Sequence, residues 1–297
     1  MTSLVSPIWL ASHRDDPDLV LLDCSWYLPD SGRDAEAEYH AAHIPGAVRL
    51  DLDALSDSDT DLPHMLPKPE HFARAMEHLG IRPGDRVVCY DGSGVNLSAA
   101  RVWWMFRVFG HRNVAVLDGG FPAWSAATRP VQRGIVHRNT TGYPTPSVDR
   151  SLVCDRTRVE AIVAGNDPAQ LADCRPAPRF RGEVDEPRPE VGRGSIPGSR
   201  NIPYAELTDP ATGLMRSPAA IKSLLAERGI EIGRPLVSLC GSGTSAAALA
   251  LAIETVRESG ARTVGPPVAI YDGSWSEWGR NRGERGDEGD GGERRKR

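Results

Sequence analysis

The chain has 297 residues, of which 40% are hydrophobic and 25% are charged, with a formal net charge of −5 at pH 7. This length suits two domains of average size, and the modest charge argues against a nucleic-acid partner. No apolar stretch approaches the ~20 residues that cross a bilayer, and the amino terminus lacks a secretory signal, so we expect no membrane association and a cytoplasmic location.

Four strings of the first half recur in the second half in the same order. The pairs begin at Val20 and Gln170, His43 and Ser195, Asp85 and Arg234, and Leu117 and Tyr271. The third pair places Asp91 opposite Cys240, and both are followed by Gly-Ser-Gly. An ordered repeat of this kind predicts a duplicated domain.

Within each copy, short apolar runs alternate with amphipathic stretches, which predicts α/β domains with mostly parallel sheets. The stretches expected to be helical are 70–79, 97–109, 219–228 and 245–256. On the second of these, Trp103 and Trp104 are expected to pack in the core or in an interface.

The domain limits follow from composition. We expect a first domain over 1–127, a polar linker rich in Pro, Gly and Thr over 128–148, and a second domain over 149–279. Residues 280–297 are almost entirely Gly, Arg, Glu, Asp and Lys and are expected to form a disordered tail.

Five cysteines are spread along the chain without a CxxC pair: Cys24, Cys89, Cys154, Cys174 and Cys240. This spacing favours free thiols in a reducing compartment over a disulfide framework or a zinc site. No zinc site is expected from these cysteines.

Cys240 lies where a buried strand runs into a glycine-rich loop that opens a helix. The N–H groups of such a loop and the helix N-terminus attract negative charge, so a thiolate at Cys240 would be stabilised as a nucleophile. Glycines keep this loop open to a ligand. The loop residues expected to bind substrate are Gly241, Gly243, Thr244 and Ser245.

Four other interpretations of the loop are weaker. A buried structural cysteine rarely leads into such a loop. A P-loop needs Lys followed by Ser or Thr after the second glycine, where this chain has Thr244 and Ser245. A cysteine phosphatase needs an arginine where this chain has Ala246 to grip a phosphoryl group. A non-catalytic binding module does not need the retained Cys240.

From about Leu4 to Gly279 the chain resembles the tandem-domain rhodanese family. The strings that carry the resemblance are CGSG at 240–243, DCSWYLP at 23–29, HIPGA at 43–47, PHMLP at 63–67 and YDGSW at 271–275. The resemblance implies two rhodanese-like domains, of which the first, with Asp91 at the cysteine position, is catalytically silent.

The resemblance also implies an enzyme, a sulfurtransferase, whose chemistry needs no cofactor and no metal. Cys240 would take sulfur from a small anionic donor, become a persulfide and pass the sulfur to cyanide or to a thiol, such as that of a thioredoxin-like protein. The neutral Gly241–Gly243 loop resembles the members that use 3-mercaptopyruvate and release pyruvate. Thiosulfate, whose relatives carry basic loop residues, remains the alternative donor. One departure is Thr244-Ser245-Ala246, where those members usually have Val-Thr-Ala.

Six arginines are crowded into one segment of the second domain: Arg175, Arg179, Arg181, Arg188, Arg193 and Arg200. In the family pattern the two that bind the donor's carboxylate and carbonyl fall on Arg179 and Arg188, and a planar guanidinium suits that task. The other four are expected to be solvated surface residues.

Sulfur transfer from mercaptopyruvate also requires a proton to move. The resemblance implies a relay of Ser242, His64 and Asp53. Because His64 belongs to the first domain and Ser242 to the second, we expect the site at the domain interface.

Overall fold

Two parallel five-stranded sheets, one in each half of the chain, form the framework of the protein. The computed structural model describes residues 1–260 and 265–280. The strands of the first half are β1 (Leu4–Val5), β2 (Leu19–Asp23), β3 (Val48–Arg49), β4 (Arg86–Tyr90) and β5 (Val114–Leu117). Those of the second half are β6 (Val153–Cys154), β7 (Gln170–Asp173), β8 (Arg200–Asn201), β9 (Leu236–Leu239) and β10 (Ala269–Tyr271).

The two sheets have the same strand order, β1-β5-β4-β2-β3 in the first and β6-β10-β9-β7-β8 in the second. The predicted duplication and the α/β fold are therefore confirmed. In the second sheet, β8 lies on one side of β7, at the edge of the sheet. The chain then crosses back and places β9 and β10 on the other side of β7. The carboxyl ends of β7 and β9 consequently form the switch point where open α/β sheets bind ligands.

Helices cover both sheets. In the first half they are α1 (Pro7–His13), α2 (Ala35–Ala41), α3 (Leu52–Leu55), α4 (Pro69–His78), α5 (Leu97–Val108) and α6 (Gly120–Ala126). In the second half they are α7 (Arg156–Val163), α8 (Ala177–Phe180), α9 (Pro218–Glu227), α10 (Ala246–Glu258) and α11 (Ser274–Trp278). The four helices expected from periodicity thus appear as α4, α5, α9 and α10, within two residues at each end.

Helices α5 and α10 pack against each other at the centre of the molecule. One hydrophobic cluster includes residues of both helices and both sheets. Trp103 and Trp104 on α5 are buried in it, as predicted, and Trp104 donates a hydrogen bond of 3.2 Å to the Leu152 carbonyl in the second half. The domains therefore share a continuous apolar interface.

The segment 128–148 has neither helix nor strand and lies along the first domain. Thr141 donates a 2.6 Å hydrogen bond to the Ile81 carbonyl, and the buried Tyr143 hydroxyl lies 3.0 Å from His111 Nδ1. The predicted linker is thus bound to one domain by side-chain hydrogen bonds.

Arg280 forms ion pairs with Asp61 and Glu190, so contacts between the halves reach the first residue of the expected tail. The remainder of that tail, 281–297, lies outside the described residues. None of the helices within 1–260 and 265–280 is long and apolar enough to cross a membrane.

Candidate active site

Cys240 follows the central strand β9 and opens a loop whose carbonyl groups are bound from one side by α11. The Cys240 carbonyl accepts a 2.9 Å hydrogen bond from Trp275 N, and the Gly241 carbonyl accepts bonds of 2.9 and 2.6 Å from Ser276 N and Oγ. The backbone N–H groups of 241–245, by contrast, have no hydrogen-bond acceptor among the described residues. They are available to an anion at the start of α10.

The corresponding loop of the first domain uses its N–H groups internally. The Asp91 carboxylate accepts hydrogen bonds of 2.9 Å from both Ser93 N and Ala99 N. It also accepts one from the Ser93 hydroxyl. The first loop therefore carries its own anion, whereas the second loop does not.

Gly243 is required by the backbone of the loop. Its φ of +76° lies in the left-handed region, and a Cβ there would be 2.9 Å from Arg101 Nη1 and 3.1 Å from the Asp272 carbonyl oxygen. A Cβ at Gly241 would meet only the flexible end of the Arg179 side chain, at 3.0 Å from Nη2. Arg179 consequently lies against the cysteine loop.

His64 reaches across the domain interface to this loop. Its Nδ1 lies 2.9 Å from Ser242 Oγ and 3.2 Å from Thr244 Oγ1, and its Nε2 lies 3.1 Å from Asp53 Oδ1. The expected Ser242–His64–Asp53 arrangement is therefore present in the geometry. Its role in proton transfer is not shown by geometry alone and stays a prediction.

The environment of His64 keeps its imidazole neutral at neutral pH. Burial lowers the pKa of His64, and the Asp53 carboxylate opposes that shift only in part, because 65% of its side chain is exposed. Asp53 is held by a 2.9 Å hydrogen bond from Trp26 Nε1, and its bond with His64 lowers the pKa of the carboxyl. A neutral ring bonded this way donates from Nε2 and accepts at Nδ1.

A buried ion pair fixes the segment that carries His64. Arg101 of α5, with no exposed surface, lies 2.5 Å from Asp272 Oδ1 and donates to the His64 carbonyl. Asp272 Oδ2 in turn accepts a 2.8 Å hydrogen bond from Leu66 N. These contacts hold His64 at a φ of +59°, a left-handed conformation that costs a non-glycine residue about 1–2 kcal/mol.

The two arginines expected to bind donor differ in their partners. The guanidinium of Arg179 is bound by the buried Glu186, which also pairs with Arg175. Arg188 is half-buried and has no hydrogen-bond or ion-pair partner for its side chain among the described residues. Burial lowers the pKa of Arg188, and its charge acts on both Asp53 and His64. Arg188 is therefore a cation near the relay that has no direct ion pair, although the charges of Glu190 and Glu186 act on it from a distance.

Of the four remaining arginines, Arg181, Arg193 and Arg200 are exposed, as expected. For Arg175 the expectation of a solvated surface residue is wrong. Its side chain is 1% exposed, because it pairs with Asp173 and Glu186 and lies over the Trp275 ring. It anchors the strand end and helix α11 beside the cysteine loop.

The comparisons with known proteins agree with this architecture. The rhodanese-like domain model matches residues 6–127 and 156–281. The chain is 42% identical to 3-mercaptopyruvate sulfurtransferase of Rattus norvegicus, over 93% of this chain and 91% of that protein. It is 37% identical to thiosulfate sulfurtransferase of Cricetulus griseus, over 93% and 91%. The crystal structure of SseA from Escherichia coli, described as a 3-mercaptopyruvate sulfotransferase, superposes with a TM-score of 0.81 at 37% identity, covering 93% of this chain and 99% of that one.

The chain belongs to the rhodanese family. The expectation of a sulfurtransferase enzyme is likewise confirmed, and such an enzyme takes sulfur from a donor and gives it to a thiol or cyanide acceptor. The residue roles within this rhodanese site remain to be proposed from its geometry.

Sequence reasoning missed the residues that position the site. Asp272 and Trp26 lie inside two of the strings that carry the family resemblance, which could have drawn attention to them. Glu186 lies in the Glu-Pro-Arg string of Arg188, which drew attention only to the arginine. Arg101 gave no comparable signal, since a single charged residue on a helix is usually solvated. Only the fold brings Arg101 of one domain to Asp272 of the other.

Proposed function

We propose that this enzyme is a 3-mercaptopyruvate sulfurtransferase in which Cys240 carries the transferred sulfur as a persulfide. The observation that carries the proposal is the contrast between the two loops. Two N–H groups of the first loop and its helix, Ser93 N and Ala99 N, donate to the Asp91 carboxylate, whereas the N–H groups of 241–245 are available to a thiolate or a persulfide. Gly241, Gly243, Thr244 and Ser245 supply these groups.

In the first step the Cys240 thiolate attacks the sulfur of 3-mercaptopyruvate. The new S–S bond forms as the C–S bond breaks, and the electron pair of the C–S bond passes to the carbon of the departing pyruvate enolate. One proton moves from the donor thiol to that carbon. The products are pyruvate and the Cys240 persulfide anion, so charge and atoms balance.

The relay of Ser242, His64 and Asp53 carries this proton. Neutral His64 accepts it at Nδ1 from the Ser242 hydroxyl, which takes it from the donor, and returns it to the enolate carbon by the same path. Asp53 holds the imidazole in the required tautomer and stabilises the imidazolium. Thr244 offers a second hydroxyl at 3.2 Å from the same nitrogen.

Arg188 and Arg179 bind the donor's carboxylate and carbonyl. Arg188 has a free guanidinium near the relay, which suits a charge-assisted pair with an incoming carboxylate. Arg179 is oriented by Glu186 and lies against Gly241, beside the nucleophile. The two guanidinium groups thus offer a donor one cation that Glu186 already holds and one that has no hydrogen-bonded carboxylate.

The acceptor in the second step is a thiol, such as that of a thioredoxin-like protein, or cyanide. It attacks the outer sulfur of the persulfide and restores the Cys240 thiolate. All five cysteines are free and buried, which supports a reducing, cytoplasmic setting.

The donor assignment is tested by measuring kcat/KM for 3-mercaptopyruvate and for thiosulfate with one acceptor. Because the loop between Cys240 and α10 has no basic side chain, we expect mercaptopyruvate to be preferred by at least about tenfold, which corresponds to about 1.4 kcal/mol. A preference for thiosulfate would contradict the proposal and favour the thiosulfate:cyanide activity.

A further inference from the structure

Cys174 is a buried thiol that has no part in the proposed sulfur transfer. It directly follows β7, just as Cys240 directly follows β9. The two strands are hydrogen-bonded neighbours in parallel register, with Asp173 opposite Leu239, and Cys174 N donates a 2.8 Å hydrogen bond to the Leu239 carbonyl. The next residues along both strands, Cys174 and Cys240, therefore lie side by side.

Both thiols are on the same face of the sheet. Cys174 and Cys240 belong to the hydrophobic cluster that α10 covers, whereas Leu171 and Leu239 belong to the cluster on the opposite face. Neighbouring strands are about 4.8 Å apart, and a disulfide joins Cα atoms that are about 4.4–6.8 Å apart. The spacing of the two positions suits a covalent bond between their sulfurs.

The two thiols also interact electrostatically. Burial raises the pKa of Cys174 well above its ordinary value, and the nearby charge of Cys240 raises it further. Cys174 is accordingly a protonated thiol beside the reactive one. Because it is uncharged, Cys174 does not compete with the anionic sulfur donor for the backbone N–H groups of the loop.

We propose that Cys174 is the resolving thiol of Cys240, and that the pair forms an intramolecular disulfide when a hydroperoxide oxidises the enzyme. The Cys240 thiolate attacks one oxygen of hydrogen peroxide, so that the O–O bond breaks and a sulfenic acid and hydroxide form. The Cys174 sulfur then attacks the Cys240 sulfur. An S–S bond forms, the S–O bond breaks, and the hydroxyl leaves with the Cys174 proton as water.

The disulfide is a reversible protected state. Two equivalents of a small thiol reduce it and restore both cysteines, whereas further oxidation of an unprotected sulfenic acid to the sulfinic and sulfonic acids is irreversible. Cys174 thus limits permanent loss of the nucleophile.

The first domain supplies a matched control. Cys24 follows β2 and is fully buried, as Cys174 is, but the residue in the place of Cys240 is Asp91. Cys24 therefore has the same position and burial, but its thiol neighbour is the buried Cys89, and no cysteine occupies the place of the nucleophile.

The test treats the full-length protein with hydrogen peroxide in the absence of donor, blocks free thiols by alkylation and maps tryptic peptides without reduction. Arginines separate each cysteine from the next, so the five thiols fall on five peptides. We expect the Cys174 and Cys240 peptides to be joined with loss of two hydrogen atoms. We expect the lost activity to return with dithiothreitol.

In Cys174→Ala the cross-link should be absent, Cys240 should advance to the sulfinic and sulfonic acids, and the activity recovered by dithiothreitol should fall at least severalfold. Cys24→Ala should behave as the wild type does. A wild-type map without the Cys174–Cys240 cross-link would overturn the proposal, as would full recovery of Cys174→Ala. The wild-type map decides the matter even if Cys174→Ala does not fold. The map records oxidation and not sulfur transfer, so its outcome is separate from that of the proposed function.

Discussion

Arg188 and Arg193 belong to the same arginine-rich segment but differ in what their guanidinium groups contact. Arg193 is exposed and paired with Asp185 at 2.8 Å, whereas Arg188 is half-buried and has no such partner within the described residues. We expect Arg188→Ala to raise KM for 3-mercaptopyruvate by about 10- to 100-fold, because a charge-assisted hydrogen bond contributes about 1.5–3 kcal/mol.

Arg188→Lys should recover little of that loss, since an ammonium group does not bind a carboxylate bidentately. Arg193→Ala is the matched control and should leave KM unchanged. Steady-state kinetics with saturating acceptor measures all three. Equal KM values for Arg188→Ala and Arg193→Ala would remove Arg188 from donor binding.

His64 should matter more for one donor than for the other. His64→Ala is expected to lower kcat for 3-mercaptopyruvate by about 10²–10⁴-fold, the usual effect of a lost acid or base. Thiosulfate turnover should fall less, because sulfite leaves as a stable anion that needs no proton. Asp53→Asn should cost less than His64→Ala, as the Asp53 side chain is 65% exposed. Equal losses of the two activities in His64→Ala would mean a structural role.

The protonation state of His64 gives an independent check. Because burial lowers the pKa of His64, its NMR titration should have a midpoint below the ordinary value of about 6.5, with the signal assigned by its loss in His64→Gln. The unfolded chain binds this proton more readily, so protonation destabilises the fold as the pH falls below that value. A midpoint above 6.5 would show that Asp53 outweighs burial and would contradict this assignment.

Some individual site residues could be predicted from the sequence, although hydrophobic periodicity does not indicate them. The strand-to-loop pattern indicated Cys240 and its glycines, while the contact of His64 with Ser242 was expected only from the family resemblance. The role of Glu186 could not be found from the sequence, because it depends on the burial of this carboxylate between Arg175 and Arg179. Such pairings are properties of the folded chain.

The glycine-rich loops of the two domains each contain a left-handed glycine at the equivalent position, but the surroundings of that glycine differ. Gly243 and Gly94 have φ values of +76° and +75°, but a Cβ at Gly94 would lie no closer than 3.6 Å to Pro122, in ordinary contact. Alanine at either position should cost about 1–2 kcal/mol of backbone strain. Gly243→Ala should additionally displace Arg101 or the loop, so only this variant should lose most of its kcat.

Thermal unfolding and kcat of both alanine variants measure this difference. Similar stability losses with activity lost only in Gly243→Ala would fit the loop geometry. Full activity in Gly243→Ala would contradict it. Equal activity losses in both variants would also contradict it.

Four of the longer helices followed closely from hydrophobic periodicity, whereas the shorter helices were not predicted from it. Helix α4 begins with Pro69 at its first position and buries Phe72 and Met76, which is the spacing that predicted it. The segment 128–148 was harder to interpret, because its contacts with the first domain are isolated ones, such as the backbone pair of Gln132 with His43 and the side-chain bond of Thr141. Without periodicity, a sequence does not show where a connector is bound.

The whole molecule depends on how the two domains are joined. Arg101 and Asp272 form a buried ion pair across the interface, and removing one partner of such a pair typically costs about 3–5 kcal/mol. We expect Arg101→Met to lower the free energy of unfolding by about that amount and to lower kcat more than it raises KM, because the His64 carbonyl loses its donor.

Two further variants separate an effect on the position of His64 from an effect on the free energy of unfolding. Arg107→Met breaks a 3.0 Å ion pair with Glu254 on the same helix pair, but these side chains are 15% and 14% exposed, so its cost should be smaller. Arg101→Met with Asp272→Asn removes both buried charges and should regain stability without regaining kcat. Urea unfolding and kinetics provide the measurements, and an Arg101→Met protein with wild-type kcat would rule out a positioning role.

The two copies of the domain have different roles, and only the loop of the second copy carries the nucleophilic cysteine. Both copies keep the strand order and the glycine-rich loop, yet the first closes its loop on Asp91 and contributes His64 and Asp53 to the second. The repeat was visible in the sequence. The docking of α5 on α10, which brings these residues together, followed from no local pattern.

The most direct test of this account is mass spectrometry of the intact protein and its Cys240 peptide after incubation with 3-mercaptopyruvate in the absence of acceptor. We predict one added sulfur atom on that peptide, removed by a thiol or cyanide, and none in Cys240→Ser, which should fold as the wild type does but transfer no sulfur. An unmodified Cys240 peptide during active turnover, or sulfur bound to another of the cysteines, would contradict the persulfide mechanism.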